Sequence, residues 1–243
     1  MQHAARSKAA VPHFDPADAG TPEESWLRML ASRPEWAPAS GPLVVVSPHP
    51  DDEVLGAGGL IHSWAASDQR VTVVSVTDGE AAFPTWRGLD VVRREELLGA
   101  LRKLSLIHVA VVRVGLPDGT VGRHANRLRN ALLALLEPGA TLVAPYERDG
   151  HPDHDAVGEV CRGLGHSHGV TVARYPVWTW HHADPTALAQ ARWGKFSLSF
   201  EARRAKARAV QCFASQLQPS RRMPVVPRHL LSHFERPYEA FLL

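Results

Sequence analysis

The chain has 243 residues, a length that suits one large domain or two small ones; its 44% hydrophobic and 21% charged residues exclude a disordered chain. Two cysteines, Cys161 and Cys212, exclude a disulfide-dense scaffold, and 27 Lys+Arg against 25 Asp+Glu leave a formal charge of +2, which is no nucleic-acid footprint. No apolar run reaches the ~18 residues that mark a membrane span, and the N-terminus has no apolar signal region, so the expected compartment is the cytoplasm.

Residues 1 to about 22 are polar and rich in Pro, Gly and Ala, and read as a mobile arm. Residues 25–32 (SWLRMLAS) predict a short amphipathic helix, followed by a connection bent at Pro34, Pro38 and Pro42. Residues 1–42 are therefore expected to form an N-terminal extension and residues 43–243 a single α/β domain. From Leu43 the pattern is regular. Short, β-branched apolar runs at 43–47, 71–77, 108–114, 141–145 and 170–178 predict buried strands. Helical spacing of apolar residues predicts helices over 53–66, 91–104, 128–136 and 153–164. The alternation predicts a Rossmann-like three-layer α/β/α sandwich with a mostly parallel sheet. Such a sheet places its site outside the carboxyl ends of its strands.

Those strand ends carry acids and imidazoles. The first leads into Ser47-Pro48-His49-Pro50-Asp51-Asp52-Glu53, the second into Thr77-Asp78-Gly79-Glu80, the third into Leu116-Pro117-Asp118-Gly119, and the fourth into Asp149-Gly150-His151-Pro152-Asp153-His154. Two imidazoles and one carboxylate, with a position left for water, form a typical catalytic zinc set. His49 and Asp52, three apart around a proline turn, can face one point, and His154 can add a third ligand. Asp51 and His151 are then left over as acid/base groups, and Asp153 has no assigned role. Helix capping by Asp51 or Asp52, and a loop hydrogen bond for His151, are the plainer alternatives. The recurrence of two related motifs, His-Pro-Asp-Asp and His-Pro-Asp-His, weighs against them. Gly56-Ala57-Gly58-Gly59 has the wrong order for a dinucleotide fingerprint, and the acids before it would repel a pyrophosphate.

At these residues the sequence resembles the PIG-L/LmbE-like de-N-acetylases, a family of zinc enzymes that remove acetyl groups from N-acetylglucosamine-containing compounds. The resemblance rests on PHPDDEVLGAGG (48–59), VTDGE (76–80), Arg93 to Glu96, LPDG (116–119), DGHPDH (149–154) and the segment from Lys206 to Ser215-Gln216. It implies zinc, or another divalent transition metal, held by His49, Asp52 and His154, with Asp51 as general base and a protonated His151 stabilising the oxyanion. It also implies substrate contacts from Arg93 (or Arg94) and Asp118, and a small amino-sugar conjugate as the partner. A zinc amidase of another amide, such as a thiol conjugate or glycosylated natural product, is the near alternative. A non-catalytic metal- or sugar-binding protein is the distant one. No nucleic acid or transmembrane segment is expected, and homo-oligomerisation is left open.

The remaining segments depart from that pattern. Trp178 and Trp180 alternate along the fifth strand, and Trp180 is the one assigned to the cleft, where its face would meet the apolar side of a sugar or acyl group. His181 and His182 offer a further metal contact. The basic stretch 201–216 predicts a helix packed through Ala205, Ala209, Cys212 and Phe213, with Arg203, Lys206 and Arg208 in solvent. Residues 224–243 read as an irregular tail that packs back on the core.

Overall fold

The computed structural model describes residues 15–104, 109–218 and 223–243. The expectations for residues 1–14 and for His108 lie outside the described residues. The apolar β-branched runs pair as parallel strands Leu43–Ser47 (β1), Val71–Ser75 (β2), Val109–Arg113 (β3), Thr141–Pro145 (β4) and Thr171–Tyr175 (β5). β1 and β4, central in the sheet, are buried throughout and carry no alternation, whereas the edge strand β3 is exposed or part-exposed along its length.

Among the described residues the sheet has seven strands, not five. Trp193–Ser197 (β6) and Tyr238–Leu242 (β7) complete it in the order β3-β2-β1-β4-β5-β7-β6, with β7 antiparallel to both neighbours. The expectation of an irregular tail is thus corrected: its end is an inner strand. The outer edge of β6 is covered in turn, because Trp36 N–H donates to the Lys195 carbonyl and Lys195 N–H to that of Pro34.

Helices cover both faces. Glu23–Leu30 (α1), Asp52–Ala66 (α2) and Leu89–Leu104 (α3) share one apolar core, while Ala125–Leu133 (α4) and Pro152–His168 (α5) share the other. Thr179–His182 (α6) follows β5 directly. The predicted 201–216 helix is two pieces, Phe200–Val210 (α7) and Ala214–Leu217 (α8), and Arg228–Leu231 (α9) precedes β7. α1 is not a loose appendage: Trp26 and Leu30 are completely buried.

The glycines of the 48–59 motif have a packing reason. A Cβ on Gly56 would lie 2.2 Å from the Tyr175 ring. α2 kinks at Ala57 (φ −143°, ψ 17°), and the amides of Gly59 and Leu60 beyond the kink donate to the Glu239 carboxylate on β7 at 2.7 and 2.9 Å. Lys206 closes this arrangement with a 2.7 Å bond to the same carboxylate. Lys206 is therefore buried on the sheet side of α7 and not, as its place in the basic stretch suggested, in solvent. Glu96 ties α3 to α8 by accepting from Ser215 N–H and Oγ–H at 2.7 and 2.6 Å.

Candidate metal centre and cleft

The parallel strands deliver their loops to one edge of the sheet, and there the two His-Pro-Asp segments meet. His49 Nδ1, Asp52 Oδ2 and His154 Nε2 form a triangle with sides of 3.2, 3.2 and 3.3 Å. Donors bound to one tetrahedral ion at about 2.0–2.1 Å stand about 3.3 Å apart, so the triangle has the size such an ion requires. The second nitrogen of each histidine is held by carboxylates. His154 Nδ1 lies 2.8 Å from Asp149, and His49 Nε2 lies 3.1 Å from Asp118 and 3.4 Å from Asp153. A ring that donates N–H to a carboxylate at one nitrogen presents a lone pair at the other, which is how ligating imidazoles are commonly held. The residues present therefore fit a divalent metal.

Electrostatics follow from this crowding. Burial opposes the charged form of His154, yet Asp52 and Asp149 raise it to about 9. Burial likewise opposes ionisation of Asp52, but His154 and His49 hold its carboxyl far below the usual range. His49 is raised well above its ordinary value because Asp118, Asp153 and Asp52 outweigh its burial.

Asp51 sits beside the triangle in a different state. Its φ of 137° is a conformation that favours glycine and stores strain of roughly 1–3 kcal/mol, a feature that concentrates at functional sites. Burial pushes its carboxyl up to about 7 against the pull of Arg93, whose guanidinium lies 3.2 Å away. Arg93 also donates to the carbonyls of Pro50 at 2.7 Å and Gly79 at 3.1 Å. Gly79 has φ +66°, and a Cβ there would lie 2.2 Å from the Arg93 guanidinium. Arg93 lines the cleft, but its bonds brace the Asp51 loop. Arg94 instead pairs with Asp78 at 3.0 Å and Asp90 at 3.3 Å.

His151 lies with its ring centroid 4.8 Å from His49 and 5.1 Å from His154. Burial and the two neighbouring imidazoles depress it to about 3. Its Nδ1 accepts from Asp153 N–H at 3.2 Å, which leaves the proton of the neutral ring on Nε2. Asp118, besides facing His49, accepts from Ala81 N–H at 2.7 Å, and its own N–H donates to Glu80 at 3.0 Å.

A cleft of about 270 Å³ opens on this cluster; its lining includes His49, Asp51, Asp52, Arg93, Asp118 and His151. Trp180 is not among its lining residues, a correction. The chain leaves the strand at Tyr175, so alternation no longer applies, and Trp180 is buried edge-on to Trp26 at 4.9 Å and stacked on Trp193 at 5.5 Å. Trp178 lines the cleft in its place. His181 and His182 spend Nε2 on the carbonyls of Asp15 and Asp149, each at 2.9 Å, outside the cluster.

Sequence reasoning missed two acids. Asp149 accepts from the amides of Val177, Trp178 and Thr179 and the Thr179 hydroxyl as well as from His154, so it fixes an imidazole of the triangle and turns the chain into α6. Asp153 accepts from Gly119 and Val121 N–H at 2.7 and 3.0 Å and faces His49. Their only signal was position, within the second motif at the end of β4.

Residues 44–164 match the family profile described as PIG-L, GlcNAc-PI de-N-acetylase. The chain is 31% identical over 135 residues to a probable N-acetyl-α-D-glucosaminyl L-malate deacetylase 2 of Bacillus subtilis, covering 50% of this chain and 60% of that one. It is 32% identical over 151 residues to a 1D-myo-inositol 2-acetamido-2-deoxy-α-D-glucopyranoside deacetylase of Corynebacterium efficiens, covering 50% and 48%. The chain thus spans about half the length of the curated relatives it matches. In fold it resembles the conserved protein TT1542 of Thermus thermophilus, with a TM-score of 0.62, 24% identity, and 83% and 93% of the two chains covered. By its matched domain and by these relatives, the chain belongs to the PIG-L (LmbE-like) family.

Proposed function

We propose that the chain is a zinc-dependent hydrolase that removes the N-acetyl group from an N-acetylglucosamine-containing substrate. The observation that carries this reading is the His49–Asp52–His154 triangle opening on a cleft beside a carboxylate, Asp51, that belongs to none of its corners. A protein that only binds metal has no use for that carboxylate. The names of the relatives support the substrate class, and the His₂-carboxylate donors suit zinc while accepting other divalent ions. A divalent metal held there supplies Lewis acidity toward a water and an acyl oxygen.

The chain's own residues do the rest. Asp51, braced by Arg93, accepts a proton from the attacking water and returns it to the departing sugar nitrogen, since an amine leaves poorly unless protonated. His151 donates its Nε2 proton in a hydrogen bond to the oxygen on which negative charge develops; a neutral ring suffices for this, as preorganised donors do elsewhere. Asp149 and Asp153 hold the imidazoles so that their lone pairs converge. The test is primary-amine release from a panel of N-acetylglucosamine conjugates by metal-free protein, zinc-loaded protein and zinc-loaded Asp51→Asn. Release that needs zinc and is lost in Asp51→Asn, with metal still bound to the variant, is the expected result. Normal turnover in Asp51→Asn would remove Asp51 from its role, and no release from any conjugate would defeat the deacetylase reading.

A further inference from the structure

We infer that the group attached to the amino sugar is apolar, an aryl or alkyl moiety in place of a polyol or an anion; this rests on the deacetylase reading of the same cleft. Besides the polar cluster, the described residues that line the cleft include Pro16, Val177, Trp178, Val225 and Val226. These side chains come from three separate stretches of chain, each tied down from outside the cleft. The stretch with Pro16 is fastened to the α6 region: His181 Nε2 bonds the Asp15 carbonyl at 2.9 Å, Thr21 N–H donates to the His181 carbonyl at 2.7 Å, and Thr21 Oγ–H to that of Ala183 at 2.8 Å. Asp149 fixes Val177 and Trp178. The Gln216 carbonyl accepts from Val225 and Val226 N–H at 3.0 and 3.3 Å.

These bonds leave the wall chemically one-sided. The amides of Val177, Trp178, Val225 and Val226 are all donated away from a ligand, and Pro16 has no N–H to offer. Arg93 is the one Lys or Arg among the described residues lining the cleft, and its two terminal nitrogens are engaged by Gly79, Pro50 and Asp51. A hydroxyl-rich or carboxylated substituent placed against these residues would give up water and find no backbone amide of Val177, Trp178, Val225 or Val226 left to donate to it, which is unfavourable. A ring or alkyl chain would bury apolar surface against side chains already held in place. The sugar itself has the polar groups of the cleft.

Affinity and turnover separate this inference from the reading beneath it. Phenyl and hexyl 2-acetamido-2-deoxyglucopyranosides, in both anomers, are titrated calorimetrically into zinc-loaded Asp51→Asn beside free N-acetylglucosamine and its inositol and malate conjugates. The phenyl or hexyl glycoside is expected to bind about tenfold or more tightly than the free sugar. Adding Pro16→Asp or Val225→Asp, both at part-exposed positions, should erase that advantage and leave binding of the free sugar unchanged. Inositol or malate conjugates that bind as tightly as the apolar glycosides would overturn the inference, as would an apolar advantage that survives both variants or no advantage at all. The same affinities measured by competition against turnover in wild-type enzyme decide the matter if Asp51→Asn does not fold. Absence of amine release from every conjugate would end the deacetylase reading while the affinity ranking still stood on its own.

Discussion

The loops after β1 and β4 spell almost the same tetrapeptide, His49-Pro50-Asp51-Asp52 and His151-Pro152-Asp153-His154, yet they distribute their side chains differently. The fourth residue of each points into the donor triangle. The first forms a corner of the triangle in the β1 loop but lies beside it in the β4 loop. The third faces the cleft as Asp51 and turns back to hold His49 as Asp153. Backbone geometry accounts for the exchange. The β4 loop enters its helix through His151 in an ordinary extended conformation (φ −100°, ψ 126°), whereas the β1 loop enters through Asp51 at φ 137°. A motif fixes which residue types arrive at a site, and the backbone fixes which of them meet at the triangle.

The largest expected effects come from the shared fourth position. His154→Ala and Asp52→Ala should each lose bound metal on dialysis, read as metal content per chain, together with all amine release. Retention of stoichiometric metal in either variant would break the triangle as a binding site. The third positions should then separate. Asp51→Asn is expected to keep its metal and lose about 10²–10⁴ in kcat, the usual contribution of a general base. Asp153→Asn is expected to lose about 10–100-fold in metal affinity, measured by chelator competition, because its job is to orient a ligand. Equal effects of the two variants on both readouts would erase the distinction between the loops.

A third contrast concerns the tryptophans. Trp180→Ala should cost about 3–5 kcal/mol of stability in denaturant unfolding, as large aromatic truncations in cores do, with KM unchanged in the folded fraction. A raised KM there would return Trp180 to the cleft.

The smallest effect lies far from both loops. Glu23 on α1 is held below the usual carboxylate range: burial opposes its ionisation, but Arg236, at 2.6 Å, and His233 outweigh burial. A depressed carboxyl contributes stability that is full above its unfolded value of 4.5 and disappears as pH falls through the lower folded value. The Tm difference between wild type and Glu23→Gln should therefore be constant at neutral pH and shrink steadily below about pH 4.5. A difference that persists at pH 2 would sink this account.

Much of this was legible in the sequence, for local reasons. Residues 43–47 and 141–145 are continuous apolar runs bounded by turn residues, and both are strands with those limits. The two His-Pro-Asp segments named the triangle because ligand types at strand ends are few. What was illegible depended on distant partners. Trp193–Ser197 contains a glycine and a lysine and Tyr238–Leu242 a glutamate, so neither reads as a buried strand until the other supplies its pairing. Glu239 is tolerated at an inner strand because α2 breaks at Ala57 and exposes two amides to it. Trp180 was misplaced because nothing local announces that Asp149 captures three successive amides and ends the strand.

The position of β7 between β5 and β6 sets an order of events during synthesis. β6 precedes β7 in the sequence but has no strand partner other than β7 among the described residues. The five parallel strands can assemble from chain already made, while β6 must stay apart from the sheet until the ribosome has released Tyr238–Leu242. The same arrival delivers Glu239 to the broken turn of α2, the helix that begins at Asp52. Completion of the sheet and anchoring of the helix that begins at Asp52 thus depend on the same segment, almost two hundred residues downstream of His49.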